Sequence, residues 1–215
     1  MACAVCQTRK EKRYCPAVHD KICAICCGTE REIRFDCPSD CVYLQEARRR
    51  ELPRALETLD PEPLFPTVEV RQQVMYEREP LIAGLSFALV KAARTDRSLH
   101  DRDLLAALHL LAQRYRTLVE SGLHYAEPVT SLPQQGIITA LEKMLSEYRE
   151  LEQKHVGRST LKDSELLQIL VFMLRTGHSK TSGRPRSRAF ADFLIEQFPE
   201  SAIAGPQVSS SLIVP

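Results

Sequence analysis

All eight cysteines of this 215-residue chain lie between Cys3 and Cys41, and residues 42–215 contain none. The N-terminal residues have no apolar signal-peptide core and no run of about 18 apolar residues occurs, so we expect a cytoplasmic protein without membrane contact. Thiols stay reduced in the cytosol, where clustered cysteines are typically metal ligands or redox centres. The cysteine distribution therefore predicts a separate N-terminal metal-binding module, residues 1–43.

The candidate ligands of this module fall into four pairs, each with two or three residues between its members. Zn²⁺ takes about four nitrogen or sulfur ligands in a tetrahedron, and two ligands at this spacing can reach one ion from a tight turn. Four pairs therefore predict two Zn²⁺ ions as the cofactors of the chain. The pairs are Cys3 with Cys6, Cys15 with His19, Cys23 with Cys26 or Cys27, and Cys37 with Cys41.

The module has few aliphatic side chains, and their burial alone cannot offset the conformational entropy that folding removes. In peptides of this size a structural zinc site contributes about 10 kcal/mol or more to folding. We therefore expect the module to unfold when its metal is removed.

The ligand spacing resembles that of the HIT and MYND zinc fingers. The similarity lies in Cys3-x2-Cys6-x8-Cys15, in the Tyr-Cys-Pro of residues 14–16, in Cys23-x3-Cys27 and in Cys37-x3-Cys41. In these families pairs one and three bind one zinc, and pairs two and four bind the other. The resemblance implies a first site of Cys3, Cys6, Cys23 and Cys27, with Cys26 as the alternative to Cys27. It implies a second site of Cys15, His19, Cys37 and Cys41.

The chain departs from these families at the second and fourth pairs. The families usually have two cysteines in the second pair and His-x3-Cys as the fourth, whereas here His19 belongs to the second pair and the fourth is all cysteine. Their fingers mostly bind partner proteins through closed structural sites, so the resemblance implies a protein-interaction module. Eight ligands for two ions leave no open position, which a catalytic zinc normally keeps. A redox switch at the adjacent thiols of Cys26 and Cys27 is an alternative use.

Residues 44–198 have the apolar periodicity of successive α-helices and predict an antiparallel helical bundle. The clearest helix follows an expected capping box of Ser98 and Asp101 and ends at Gly122. A helix from Ser131 to about Gly157 comes next.

Thr160 then precedes an apolar run that is typical of a bundle centre, although a strand is an alternative for so short a run. We interpret residues 60–66 as a linker and residues 199–215 as a loose tail. The fold prediction is thus mainly α, with the Cys/His module preceding the bundle. This helical remainder resembles uncharacterised bacterial proteins, which implies no activity.

A basic tract covers residues 175–188, where five lysine and arginine side chains occur without an acidic residue. Its Gly-Arg-Pro resembles the core of an AT-hook, which inserts into the A·T-rich minor groove. The formal net charge of the chain is only +1, so nucleic-acid binding would depend on such a local patch. The candidate contacts are Lys180, Arg184, Arg186 and Arg188.

The sequence contains no Gly-rich phosphate loop, and no set of nucleophile, base and orienting group can be recognised in it. We therefore predict neither a catalytic site nor a binding site for an organic cofactor. The leading interpretation is a zinc-binding, non-enzymatic adaptor or regulator that binds a partner protein. One alternative is a nucleic-acid-binding regulator that uses the zinc module and the basic tract. A second alternative is an enzyme with its site in the helical domain. The pattern favours no particular oligomeric state.

Overall fold

The computed structural model describes residues 1–51, 60–124, 128–129 and 131–199. The cysteine-rich part begins with a short antiparallel hairpin of β1 (Arg13–Cys15) and β2 (Asp20–Ile22), in which Arg13 lies opposite Ile22. Helix α1 (Ala24–Glu30) follows directly, and α2 (Val42–Arg50) closes this part of the chain. The mainly helical fold class is confirmed, because the described strands form only this two-stranded sheet.

Six further helices form the bundle, and a single 3-10 turn at Glu62–Leu64 precedes them. Among them α5 packs most extensively along α7, and α4 packs along α6. Their bounds are α3 Gln72–Glu77, α4 Glu79–Thr95, α5 Asp101–Ser121, α6 Leu132–Val156, α7 Asp163–Lys180 and α8 Ala189–Gln197.

Helix α7 is the central element of the bundle. Its apolar run is buried on nearly every side, as expected for a helix that is surrounded by other helices. Gly177 allows a close approach, because an added Cβ would lie 2.5 Å from Leu105 Cδ2 and 3.0 Å from Phe190 Cε1. The strand alternative for this run is therefore wrong.

The C-terminal ends of α5 and α6 agree with the expected boundaries, but the capping box before α5 differs. Gly122 and Gly157 end α5 and α6 at φ values of 72° and 77°, the left-handed conformation that glycine adopts readily. The expected capping box of Ser98 and Asp101 is wrong, because His100 and Asp103 form it instead. Buried Asp101 accepts hydrogen bonds from Ser187 Oγ and from the first backbone N–H groups of α8.

The linker 60–66 and the basic tract 175–188 are both partly ordered into the bundle. The tract 175–188 is helical as far as Lys180, because α7 continues to that residue. The linker 60–66 contributes the buried side chains of Leu64 and Phe65, and Arg175 donates to the carbonyl oxygens of both residues at 3.0 and 2.7 Å. Residues 52–59 of the predicted helical domain and nearly all of the predicted tail lie outside the described residues.

Among the residues that the structure describes, two separate hydrophobic clusters occur. The larger one is the helical core around α4, α5, α6 and α7. The smaller one lies in the cysteine-rich part and consists of Cys3, Cys15, Ile22, Cys23 and Cys26. No helix within the described ranges is long and apolar enough to cross a bilayer.

Candidate metal centre

Four cysteines from the N-terminal loop and from α1 converge on one point. Their sulfur atoms all lie within 4.8 Å of one another, and three of the four side chains are buried. In the part of the chain that the structure describes, this is the one group of potential ligands that is drawn together so closely. The group consists of Cys3, Cys6, Cys23 and Cys26.

Local backbone geometry points N–H groups at these sulfurs. Cys23 is the residue before α1, so its Sγ accepts the N–H of Cys26 at 3.4 Å in the manner of a helix cap. The Cys3 Sγ accepts the N–H of Cys23 at 3.1 Å. Because an N–H donor stabilises a negatively charged sulfur, this arrangement favours the thiolate form that binds metals.

The surroundings shift the pKa values of three of these thiols in different directions. Hydrogen bonds from the side chain and N–H of Thr8 and from the N–H of Arg9 lower the pKa of Cys6 to about 5. Burial would raise the pKa of Cys3, but backbone N–H groups outweigh it and the pKa is lowered. Burial and the neighbouring sulfurs raise the pKa of Cys26 to about 12. The cluster therefore combines stabilised thiolates with a thiol that needs a nearby cation to ionise.

The donor set fits a tetrahedral zinc ion. With zinc–sulfur bonds of about 2.3 Å, the sulfurs of a tetrahedral site lie about 3.8 Å apart, within the spread of this cluster. An all-thiolate tetrahedron suits Zn²⁺ or an iron–sulfur centre and is unsuited to Mg²⁺ or Ca²⁺. Four protein ligands also fill the coordination shell, as in a structural site.

The structure groups Cys26, and not Cys27, with the other three cysteines. Consecutive residues on an α-helix project about 100° apart, so both side chains cannot face the same ion. Cys27 lies on the other side of α1, where its Sγ accepts a hydrogen bond from Arg13 Nη1 at 3.6 Å. The two adjacent thiols of the redox alternative thus have separate surroundings.

The ligands expected at the second site are placed differently from the first cluster. Cys15, Cys37 and Cys41 line one small cavity together with Cys27. His19 does not line it, because this residue is exposed in the turn of the hairpin with a φ of 57°. Burial raises the pKa of Cys37 to about 11, and the neighbouring Cys15 and Cys41 act in the same direction.

The basic tract joins the cysteine-rich part to the bundle. Arg184 Nη1 donates to the carbonyl oxygens of Gly28 and Arg31 at 3.2 and 2.6 Å. Arg186 pairs with Asp36, and Arg188 donates to carbonyl oxygens at the end of α4 and in the turn after it. Lys180 lies with its Nζ 4.6 Å from the ring centre of Phe193. Each of the four candidate nucleic-acid contacts therefore has a partner within the chain.

Sequence analysis did not identify Glu32, which is the centre of this junction. Its side chain is only 2% exposed, and it accepts from Arg48 Nη2 at 2.7 Å and from Ser182 Oγ at 3.0 Å. Arg48 also contacts Asp192 of α8 at 2.6 Å. The sequence does contain one signal that could have identified Glu32. It is an acidic residue between the cysteine pairs, and its charge is opposite to that of the basic tract.

An open groove of about 690 Å³ lies between α4 and α6 of the bundle. Apolar residues such as Phe87, Leu132 and Met144 line it, and Lys91 and Lys143 are among its charged residues. A smaller recess of about 360 Å³ contains Tyr115 and His124, together with two arginine–carboxylate pairs.

Comparisons with protein-family models, with curated proteins and with solved structures found no match to this chain. A function must therefore be inferred from the arrangement of its own residues.

Proposed function

We propose that the chain is a zinc-binding, non-enzymatic adaptor or regulator whose cysteine-rich module binds a partner protein. The metal assignment rests on one observation: the sulfur atoms of four cysteines all lie within 4.8 Å of one another. The proposal includes two Zn²⁺ ions, one of them bound by Cys3, Cys6, Cys23 and Cys26. A likeness to HIT and MYND fingers, in which pairs one and three share a zinc, agrees with this ligand set apart from Cys26.

A structural role for the metal follows from the composition of the small core. Four of its five fully buried members are cysteines, and Ile22 is the only aliphatic side chain among them. So little apolar burial cannot stabilise a fold of this size, whereas a zinc site supplies about 10 kcal/mol or more. The ion would therefore hold the hairpin against α1.

The surface of the module supports a role in protein binding. Large apolar side chains at Tyr14, Ile25, Ile33 and Val42 are between 44% and 60% exposed, although the module is small. Exposed apolar side chains are common in contacts with partner proteins. No observation favours the nucleic-acid alternative in the same way, because the basic tract donates its hydrogen bonds within the chain.

The metal proposal is tested by elemental analysis of the purified full chain and of the Cys3→Ser variant. We expect zinc to co-purify and the variant to lose at least one ion per chain. Glu46→Ala, a change at an exposed residue of α2, is the matched control and should keep the full zinc content. A folded wild-type chain without zinc would contradict the proposal.

The partner proposal is tested by affinity capture with Ile25→Asp and with Leu151→Asp, a change at an equally exposed residue of α6. We expect the first variant to lose partners that the second retains. Equal capture by both variants would contradict binding through this surface of the module. Binding of either chain to duplex DNA at low salt would instead favour the nucleic-acid alternative.

A further inference from the structure

Once the first cluster has taken four cysteines, the four that remain all line one cavity. They come from different elements: Cys15 ends β1, Cys27 lies on α1, Cys37 follows α1 in a loop, and Cys41 precedes α2. Residues from these separate elements line the same cavity only because the fold brings them together. The second set of thiols is therefore a product of the tertiary structure.

The size and walls of this cavity suit an ion and exclude a larger ligand. Its free volume is about 10 Å³, which is room for about one water-sized sphere. Apart from the four thiols, much of the wall is apolar and comes from Pro16, Ala17, Phe35, Pro38 and Leu44. Sulfur atoms around a space of this size are a ligand set for a thiophilic metal.

Two arginines at the cavity provide positive charge that can offset the negative charge of the thiolates. Four thiolates around one Zn²⁺ carry a net charge of about −2, which is costly to bury without a cation nearby. Arg13 donates to Cys27 Sγ at 3.6 Å, and Arg31 lines the same cavity. This pairing gives the thiolates a charge partner on the protein side.

We propose that Cys15, Cys27, Cys37 and Cys41 bind a second zinc ion, and that Cys27 takes the position which the family resemblance assigned to His19. The proposal rests on the proposed zinc-binding function and specifies its second site. The helix geometry of α1 explains the division: Cys26 faces the first site, and Cys27, about 100° further round, faces the second. Each of the eight cysteines is then used once.

The second site is looser than the first, because its sulfurs are not drawn together within 4.8 Å. Metal binding there would tighten the loop of residues 31–41 against the hairpin. The N–H of Cys41 already donates to Pro38 O at 3.0 Å, and the N–H of Leu44 donates to Cys41 O at 3.0 Å. The ion would thus fix the start of α2, which carries Arg48 into the junction with the bundle.

Zinc content of four purified full-length proteins tests the proposal: wild type, Cys26→Ser, Cys27→Ser and His19→Ala. We expect two zinc ions per chain in the wild type and in His19→Ala. The Cys26→Ser and Cys27→Ser variants should each hold one. Loss of one ion in His19→Ala with full retention in Cys27→Ser would overturn the assignment.

X-ray absorption of the wild-type protein decides the question even if Cys27→Ser fails to fold. We expect only sulfur neighbours at about 2.3 Å, whereas a ligating His19 would add nitrogen at about 2.0 Å. A wild type with one zinc that Cys26→Ser loses would overturn the second site and leave the first intact. A wild type with one zinc that only Cys27→Ser loses would support the second site and contradict the first.

Discussion

At the scale of single residues, close packing around the central helix α7 depends on a missing side chain. Gly177 lies in α7, where a Cβ added to it would meet a methyl group of Leu105 in α5 and the ring of Phe190 in α8. Gly136 lies in α6, and a Cβ added there would meet no atom within 4 Å. The same substitution at these two helical glycines should therefore have opposite effects.

We expect Gly177→Ala to lower the free energy of unfolding by about 1–3 kcal/mol, because Leu105 and Phe190 must move in a tightly packed core. Gly136→Ala should raise it by about 0.5–1 kcal/mol, because alanine restricts the unfolded chain and favours the helix. Urea denaturation of both variants measures the two effects. Equal stabilisation by both changes would show that α7 has room at Gly177.

At the scale of elements, the turn between α6 and α7 is held by one carboxylate. Glu152 accepts from the N–H groups of Thr160 and Leu161 at 2.9 and 3.2 Å, and from Ser159 Oγ at 3.0 Å. Its Oε1 also lies 2.7 Å from Arg78 Nη1. A single side chain thus joins α6 to the start of α7 and to the N-terminal end of α4.

Burial would raise the pKa of Glu152, but the hydrogen bonds from Thr160, Ser159 and Leu161 lower it to about 2. The unfolded chain has a pKa of about 4.3 at this residue. The stabilisation is therefore complete above about pH 4.3 and is lost as the pH falls toward 2.

We expect Glu152→Gln to lower the free energy of unfolding by about 2 kcal/mol at neutral pH, with a smaller difference from wild type below about pH 4. Glu147→Gln, at a half-exposed residue of the same helix, is the control and should change stability by less than about 0.5 kcal/mol. Denaturation curves recorded from pH 2 to 7 give both quantities. A constant difference across this range would contradict the assigned role.

The helices and their glycine ends were predictable from the local sequence, whereas the capping box before α5 was not. The apolar spacing that ends at Gly122 and at Gly157 is a local property, and the structure ends α5 and α6 there. Aspartate is a residue type that often caps its own helix. The carboxylate of Asp101 instead accepts hydrogen bonds from backbone N–H groups of α8, a helix that begins 88 residues later. Such a contact depends on tertiary packing and leaves no local signal.

At the scale of the whole molecule, the cysteine-rich part and the bundle are joined mainly by polar contacts around Glu32. The carboxylate connects Arg48 of α2 with Ser182, and the backbone oxygen of Glu32 accepts the N–H of Arg186 at 2.8 Å. Spacing predicted the cysteine pairs, and the family resemblance implied that pairs one and three belong together, with Cys26 as one of two choices; the structure brings these four cysteines into one cluster. The junction around Glu32 was not predictable, because the spacing of residues in the sequence does not indicate which carboxylate pairs with which arginine.

We expect Glu32→Ala to lower the free energy of unfolding by about 3 kcal/mol, because Arg48 loses its buried ion-pair partner. Amide hydrogen exchange should rise in residues 181–188, the segment that contacts Glu32 through Ser182 and Arg186. The exposed Glu46→Ala should leave both quantities within error of wild type. An unchanged exchange pattern in the Glu32 variant would mean that the arginines alone maintain the junction.

The arginines of the basic tract bind main-chain oxygens as well as carboxylates, and this has an evolutionary consequence. The side chain of Arg184 donates to the carbonyl groups of Gly28 and Arg31, and that of Arg188 to those of Ala93 and Leu99. Every residue type offers the same carbonyl oxygen, so selection can hold an arginine in place while its acceptor positions drift freely. Related sequences should therefore keep these arginines without any compensating change at the residues that they contact.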